Sequence, residues 1–178
     1  MERKLFFENK KGDRLCGILS DPKPEDLHKP LIILVHGFST CKDSNKNVTL
    51  QKLLNGKGVA TFRFDLYGHG ESQGKIEDIT VSEAANDILC CIGFLINVGY
   101  SRFGLVGSSF GGTASILAAA ESACLFALAL VCPVSDYLEK EKLQRGSQGI
   151  KKWKQLGLLP SPPRSVYRPA PLHSPIFP

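Results

Sequence analysis

The first twenty residues alternate between apolar and polar side chains in a pattern that predicts a β-hairpin. Residues 4–9 and 14–19 carry this alternation, and the segment between them contains a glycine. A period of two places alternate side chains on opposite faces of a strand, and a short glycine-containing connection joins antiparallel neighbours. We therefore expect two antiparallel strands in this part of the chain.

Four later segments are mostly apolar, which is typical of strands covered on both faces of a parallel sheet. These segments are residues 31–35, 59–64, 102–106 and 125–131. The clearest helix begins after Thr80, because apolar residues recur at steps of three and four and Thr80 forms a capping-box pattern with Glu83. Further helices are predicted near residues 47–54 and 111–121. Strands alternate with helices, which predicts an α/β fold with a doubly wound, mostly parallel sheet.

The pattern changes after Pro133. Charged helical segments are predicted at residues 136–144 and 148–156, and seven of the eleven prolines lie in the last nineteen residues. Proline cannot donate to a sheet ladder or continue a helix. We therefore expect three parts, which are a core at residues 1–135, the helical start of a cap at 136–157, and an extended or disordered proline-rich tail at 158–178.

Composition narrows the class of protein. With 178 residues and 43% apolar content, the chain can bury one core. The net charge of +5 comes from scattered basic residues, so no nucleic-acid partner is indicated. No secretory signal is predicted, because the N-terminus has no apolar h-region. No membrane span is predicted, because polar residues interrupt the longest apolar stretch, at 111–134. The six cysteines include no C-x-x-C pair and are expected to be reduced, in a cytoplasmic protein.

The strongest chemical motif is a Gly-x-Ser-x-Gly sequence centred on Ser109, between a predicted strand and a predicted helix. A serine on such a turn has a strained backbone, and Gly107 and Gly111 leave room for it. Its hydroxyl then lies above the strand ends, where an open parallel sheet binds ligands. The motif predicts a nucleophilic serine, with an ordinary glycine-rich turn as the alternative.

A second motif, His36-Gly37-Phe38, follows the first apolar strand and is expected to face the same crevice. Acyl transfer requires hydrogen-bond donors aimed at the developing oxyanion. The main-chain N–H groups of Phe38 and Phe110 are the candidates. We interpret His36 as a structural residue that holds this loop, and a role as general base is the alternative.

A third motif, Asp-x-x-Gly-His-Gly-x-Ser, begins at Asp65 after the next strand. Two glycines beside His69 indicate a tight turn, in which Asp65 and His69 form hydrogen bonds with the loop. An aspartate and a histidine could also belong to a catalytic triad, but their spacing and position favour the structural turn.

Together the three motifs resemble the α/β-hydrolase superfamily, in the branch of cytosolic esterases, monoacylglycerol-lipase-like enzymes and serine-aminopeptidase-like hydrolases. In that branch strands lead in turn into His-Gly-Phe, Asp-x-x-Gly-His-Gly-x-Ser and Gly-x-Ser-x-Gly-Gly, and all three occur here in order across residues 3–135. The resemblance implies a serine hydrolase that cleaves a carboxylic ester, thioester or amide through an acyl-enzyme on Ser109. Phe38 and Phe110 would be the oxyanion donors. A small acyl compound is the expected substrate, with no cofactor and no metal.

The chain departs from the family pattern in its later part. The family places its acid after a later strand and its general base after a final strand, and the late candidates here are Asp136 and His173. His173 lies in the proline-rich tail with no element to hold it. We therefore expect a C-terminally truncated hydrolase that is impaired because Ser109 lacks an oriented base. The alternative is a non-catalytic scaffold that acts as a binding or regulatory module.

The strand at residues 125–131 has a further consequence. Without later strands it would form an edge of the sheet, and its sequence contains no charge or proline. Such an edge offers unpaired main-chain groups to another chain. Self-association through this strand is therefore expected.

Overall fold

The hairpin and the alternating strands and helices are present in the computed structural model, which describes residues 2–24, 26 and 29–156, apart from the side chains of residues 153, 154 and 156. The strands are β1 (Glu2–Glu8), β2 (Arg14–Ser20), β3 (Leu31–Val35), β4 (Ala60–Phe64), β5 (Phe103–Ser108) and β6 (Leu125–Val131). The helices are α1 (Asn45–Gly56), α2 (Val81–Val98), α3 (Phe110–Glu121) and α4 (Tyr137–Leu156), with a short 3₁₀ helix at Ile76–Asp78.

The six strands form one sheet in the order β1-β2-β4-β3-β5-β6. β2 pairs antiparallel with both β1 and β4, whereas β4, β3, β5 and β6 pair in parallel. The predicted α/β fold, with a mostly parallel sheet and an antiparallel hairpin, is confirmed. Val35 on β3 pairs with Gly107 on β5. The loops that follow these two strands therefore begin at the same end of the sheet, where the carboxyl ends of the parallel strands lie.

Helix α2 covers one face of the sheet. It begins with the predicted capping box of Thr80 and Glu83 and ends at Gly99, whose φ is 113°. Among the described helices, only α2 has a length and composition that would suit a membrane span. Its apolar residues pack against the sheet and α3 in the core, which accounts for that composition.

The observed elements differ from the predicted ones mainly at their ends. Two helical segments are predicted after Pro133, and α4 consists of two helical segments that meet at the non-helical residue Gly146, in agreement with that prediction. Gly146 has a φ of 65°, a backbone conformation that glycine adopts without a steric penalty. The 3₁₀ helix was not predicted, because a single turn is too short to produce a periodic pattern. The division into core, cap and tail stays a prediction.

Strand β6 is the outermost strand on its side of the described sheet, and no described segment pairs with its outer edge. The Ser109 N–H donates to the Val131 carbonyl at 2.9 Å, so the main chain of Val131 faces the interior of the sheet. The main-chain groups of Leu128 and Leu130 alternate with it and face outward. The side chains of Phe126 and Leu128 are 48% and 39% exposed. Among the residues that the structure describes, this edge is therefore apolar and has no strand paired with it.

We expect two copies of the chain to associate through β6, because unpaired main-chain groups on an uncharged edge can pair with a second strand. Replacing Leu128 with lysine places a charge on this edge and should shift the chain toward the monomer in size-exclusion chromatography with light scattering. Leu143→Lys is the matched control, because Leu143 is 81% exposed but lies on α4. A monomeric unsubstituted chain at every concentration would contradict this expectation.

Candidate active site

Ser109 lies at the junction between β5 and α3. Its φ and ψ are 52° and −119°, and a positive φ is uncommon for a residue other than glycine. Its carbonyl accepts the Thr113 N–H at 3.1 Å, and its side chain makes no capping hydrogen bond to α3. Backbone strain of this kind costs about 1–3 kcal/mol and is concentrated at functional sites. The hydroxyl is therefore not used to cap the helix that Ser109 precedes.

The two glycines of the motif are required by close approaches of the main chain. A Cβ atom at Gly107 would lie 2.5 Å from the Ser115 Oγ, and one at Gly111 would collide with the His36 carbonyl oxygen. The first contact closes the turn onto α3, and the second brings the loop after β3 against the start of α3. The spacing of the glycines around Ser109 therefore reflects two separate packing constraints.

The loop after β3 runs beside Ser109. A Cβ atom at Gly37 would lie 3.4 Å from the Ser109 Cβ, and the rings of Phe38 and Phe110 meet edge to face with centroids 5.0 Å apart. Phe110 is the first residue of α3, so its N–H is among the four that have no acceptor within the helix. The two predicted oxyanion donors thus belong to elements in direct contact. Their role as donors stays a prediction.

His36 is buried and contacts the main chain through both ring nitrogens. Its Nε2 accepts the Leu66 N–H at 3.1 Å, and its Nδ1 lies 2.8 Å from the Gly37 carbonyl oxygen. Because Nε2 accepts, the ring proton is on Nδ1 and is donated to Gly37. Burial lowers the pKa of His36 to about 4, and the neighbouring His69 acts in the same direction. This environment favours the structural interpretation of His36 over the role of general base.

Asp65 is fully buried and joins the loops that follow β3 and β4. Its carboxylate accepts the main-chain N–H groups of Lys42 and Glu71 at 2.7 and 2.9 Å, and the Lys42 ammonium donates to it at 2.9 Å. Burial alone would lower the pKa of Lys42, but the carboxylates of Glu71, Asp43 and Asp65 raise it overall. The ammonium groups of Lys4 and Lys42 lower the pKa of Glu71 to about 2. The network therefore holds its charges as ion pairs.

His69 connects the same two loops at a second point. Its Nδ1 lies 2.8 Å from the Tyr67 carbonyl oxygen and its Nε2 lies 2.5 Å from the Phe38 carbonyl oxygen. The ring is buried, and its centroid is 4.9 Å from that of His36. Asp65 and His69 thus both form hydrogen bonds that join the loop after β3 to the loop after β4.

Lys42 and Asp87 are among the buried charged residues that the sequence analysis did not indicate. Asp87 on α2 accepts the Tyr67 N–H at 2.9 Å and the Asn9 side-chain amide at 3.4 Å. Burial raises the pKa of Asp87 to about 6. The signal in the sequence that could have identified Asp87 is its position on the otherwise apolar face of α2. No comparable pattern marks Lys42.

Among the described residues, no hydrogen bond joins Asp136, the first late candidate for the triad, to Ser109. Asp136 is exposed, and its carboxylate accepts the Glu139 N–H at 2.8 Å in the first turn of α4. His173 lies outside the described residues. In the part of the chain that the structure describes, no group of three His, Cys, Asp or Glu side chains could hold a metal ion.

A cavity of about 370 Å³ lies on the α1 side of the sheet, near the ends of β3, β5 and β6. The Lys46 ammonium donates to the Ser108 hydroxyl at 2.9 Å within this region. Ser108 lines the cavity, whereas Ser109 is not part of its wall. The two adjacent serines therefore have different surroundings.

A mostly parallel sheet, a serine on a strained strand-to-helix turn and the adjoining loop of a neighbouring strand together define an α/β hydrolase. The family model for serine aminopeptidase, S33, matches residues 26–164. The chain therefore belongs to this family of α/β hydrolases.

Known proteins similar to this chain include lipases and esterases. Human monoacylglycerol lipase ABHD6 is 30% identical over 148 residues, which cover 78% of this chain and 42% of the lipase. Bovine mitochondrial palmitoyl-protein thioesterase ABHD10 is 31% identical over 144 residues, which cover 78% of this chain and 46% of the thioesterase. The chain spans less than half the length of these curated relatives.

Solved structures agree with this relationship. Est1E from Butyrivibrio proteoclasticus, with ferulic acid bound, has a TM-score of 0.70 and 33% identity, covering 78% of this chain and 56% of Est1E. Mouse alpha/beta hydrolase domain-containing protein 10 has a TM-score of 0.71 and 25% identity, covering 91% of this chain and 62% of the mouse protein. The fold match therefore extends across most of this chain.

Asp87 is expected to make the stability of the fold depend on pH. Its pKa is raised from 3.8 to about 6, so the folded chain binds this proton more tightly than the unfolded chain. The resulting stabilisation is present below about pH 4 and is lost as the pH rises through about 6. Asp87→Asn does not titrate and keeps an acceptor oxygen. Its free energy of unfolding relative to the unsubstituted chain should therefore rise by up to about 3 kcal/mol between about pH 4 and 7.5.

Urea denaturation at the two pH values measures this difference. Asp78→Asn is the control, because it removes an exposed carboxylate and should change stability equally at both pH values. An effect of Asp87→Asn that is independent of pH would contradict the expectation.

Proposed function

We propose that this chain is the nucleophile-bearing part of a serine hydrolase that cleaves carboxylic esters, thioesters or amides through an acyl-enzyme on Ser109. The observation that carries the proposal is the strained strand-to-helix turn at Ser109, in contact with the loop that contains Phe38. A strained serine without a capping role suits a nucleophile better than a structural turn.

The proposed reaction has two steps. The Ser109 Oγ attacks the substrate carbonyl carbon and gives its proton to a general base, while the N–H groups of Phe38 and Phe110 bind the oxyanion. The intermediate collapses, and the leaving alcohol, thiol or amine takes that proton. Water then attacks the acyl-enzyme in the same way and releases a carboxylic acid.

The general base is the part of this reaction that the described residues support least. Within residues 29–156 the histidines are His36 and His69, and each contacts main-chain carbonyl groups of the loops. An oxyanion hole and substrate binding alone retain an acceleration of about 10³–10⁴ over water in a serine protease. We therefore infer slow turnover of small activated esters by this chain.

The substrate class is inferred from the relatives. One is a monoacylglycerol lipase, another is a palmitoyl-protein thioesterase, and Est1E binds ferulic acid. All three names refer to acyl or carboxylic acid compounds. An ester or thioester of a carboxylic acid is therefore the proposed substrate.

A second candidate function is that of a non-catalytic binding or regulatory module. The engagement of both described histidines by loop main chain favours it, because a serine without a base is a weak nucleophile. The two functions differ in the reactivity of Ser109.

Reaction with a fluorophosphonate probe tests the proposal. We expect the unsubstituted chain to be labelled, Ser109→Ala to lose labelling, and Ser108→Ala to keep it within about threefold, because Ser108 binds Lys46 and is not at the strained position. Mass spectrometry of the labelled peptide identifies the modified serine. A folded chain that does not react would support the binding module instead.

A further inference from the structure

His69 is held between two main-chain carbonyl groups that belong to different loops. Its Nδ1 faces the Tyr67 oxygen at 2.8 Å and its Nε2 faces the Phe38 oxygen at 2.5 Å. The ring is 4% exposed. A buried side chain that joins the loop after β4 to the loop after β3 is placed to control the shape of the second loop.

The chemistry of these contacts fixes the role of each ring nitrogen. A carbonyl oxygen accepts hydrogen bonds and cannot donate, so a ring nitrogen of His69 that carries a proton donates it to the carbonyl group it faces. His36 differs, because its Nε2 accepts the Leu66 N–H and its ring is neutral. His69 therefore links carbonyl groups of two different loops through one ring.

The peptide groups on both sides of Phe38 are held by this arrangement. The Gly37 carbonyl, in the peptide before Phe38, is bound by the His36 Nδ1 at 2.8 Å and by the Thr40 N–H at 3.3 Å. The Phe38 carbonyl, in the peptide after it, is bound by His69. Since each peptide is planar, fixing both planes fixes the two backbone rotations at Phe38 and the direction of its N–H.

The Phe38 ring adds a third constraint. It meets the Phe110 ring edge to face with centroids 5.0 Å apart, and the His69 ring with centroids 5.7 Å apart. The same imidazole therefore contacts both the ring and the carbonyl of Phe38. Removing its donors while keeping an aromatic ring separates the hydrogen bond from the packing.

We propose that His69 is a positioning residue for the oxyanion hole, which holds the Phe38 peptide so that its N–H points toward the oxyanion formed at Ser109. This inference rests on the proposed function, because the oxyanion is that of the Ser109 reaction. His69 acts through Phe38 and does not touch the reacting atoms.

Two variants test the role of the donors. His69→Phe keeps a ring against His36 and Phe38 but has no N–H group, whereas His69→Gln keeps an amide donor that can reach the Phe38 carbonyl. Tyr100→Phe is the matched control, because it also removes one buried hydrogen bond, which Tyr100 donates to Asp21. Tyr100 lies before β5 and outside the two loops that His69 joins. Thermal unfolding verifies that each variant is folded.

The kinetics of fluorophosphonate labelling give the first measurement. We expect the maximal rate of inactivation to fall about 10- to 100-fold in His69→Phe, because misplacing a group by about 1 Å can cost about 100-fold. The concentration for half-maximal rate should stay within about twofold, and His69→Gln should recover part of the loss. Unchanged labelling by His69→Phe would overturn the proposal.

Nuclear magnetic resonance gives a second measurement that needs no reaction. The order parameter of the Phe38 amide should fall from about 0.85 to below about 0.6 in His69→Phe but not in Tyr100→Phe. The unsubstituted chain should also show a slowly exchanging N–H proton on the His69 Nε2, which faces the Phe38 carbonyl, and its absence would overturn the proposal even if His69→Phe does not fold. If the unsubstituted chain is not labelled but the order parameter falls as expected, His69 holds the Phe38 peptide as argued, and the proposed hydrolase function fails together with the role of that peptide in an oxyanion hole.

Discussion

The buried carboxylate of Asp65 is the point from which the geometry of the candidate site follows. A charge without access to water is stable in a fold only if it is paired and hydrogen-bonded. Asp65 meets this requirement with the Lys42 ammonium and two main-chain N–H groups, which belong to Lys42 and Glu71. Removing one partner from such a buried pair costs about 3–5 kcal/mol. The loop after β3 is therefore held against the loop after β4.

The contact between these two loops also fixes the surroundings of Ser109, because the strands that precede the loops pair in the same sheet as β5. β3 pairs in parallel with both β4 and β5, so the loops after these three strands leave one edge of the sheet. Gly37 and Gly111 allow the main chains of the first loop and α3 to approach each other. The strained backbone at Ser109 persists because these surroundings over-determine it. The serine is thus held by long-range packing, although its motif is local.

The sequence predicted the parts of the structure that depend on local patterns. The strands Leu31–Val35 and Leu125–Val131 have the predicted ends, and the capping box at Thr80 begins α2 as expected. Apolar runs and caps are local signals, so their prediction does not require the tertiary structure. The position of Ser109 between a strand and a helix followed from glycine spacing in the same way.

The sequence did not indicate contacts between residues that are distant along the chain. Lys42 has no periodic pattern around it, yet it pairs with two carboxylates that lie beyond β4. The contact between the His69 ring and the Phe38 carbonyl, in the loop after β3, joins residues that are 31 positions apart. Such pairs depend on which strands become neighbours, and the order of strands in the sheet is not a local property.

A crystal structure of the chain after reaction with a small phosphonate ester tests the central claim most directly, because the phosphonate mimics the tetrahedral intermediate on the serine. We expect phosphorus bonded to the Ser109 Oγ and its oxygen about 2.7–3.1 Å from the nitrogen atoms of both Phe38 and Phe110. Phosphorus on another residue, or an oxygen that neither amide reaches, would contradict the account.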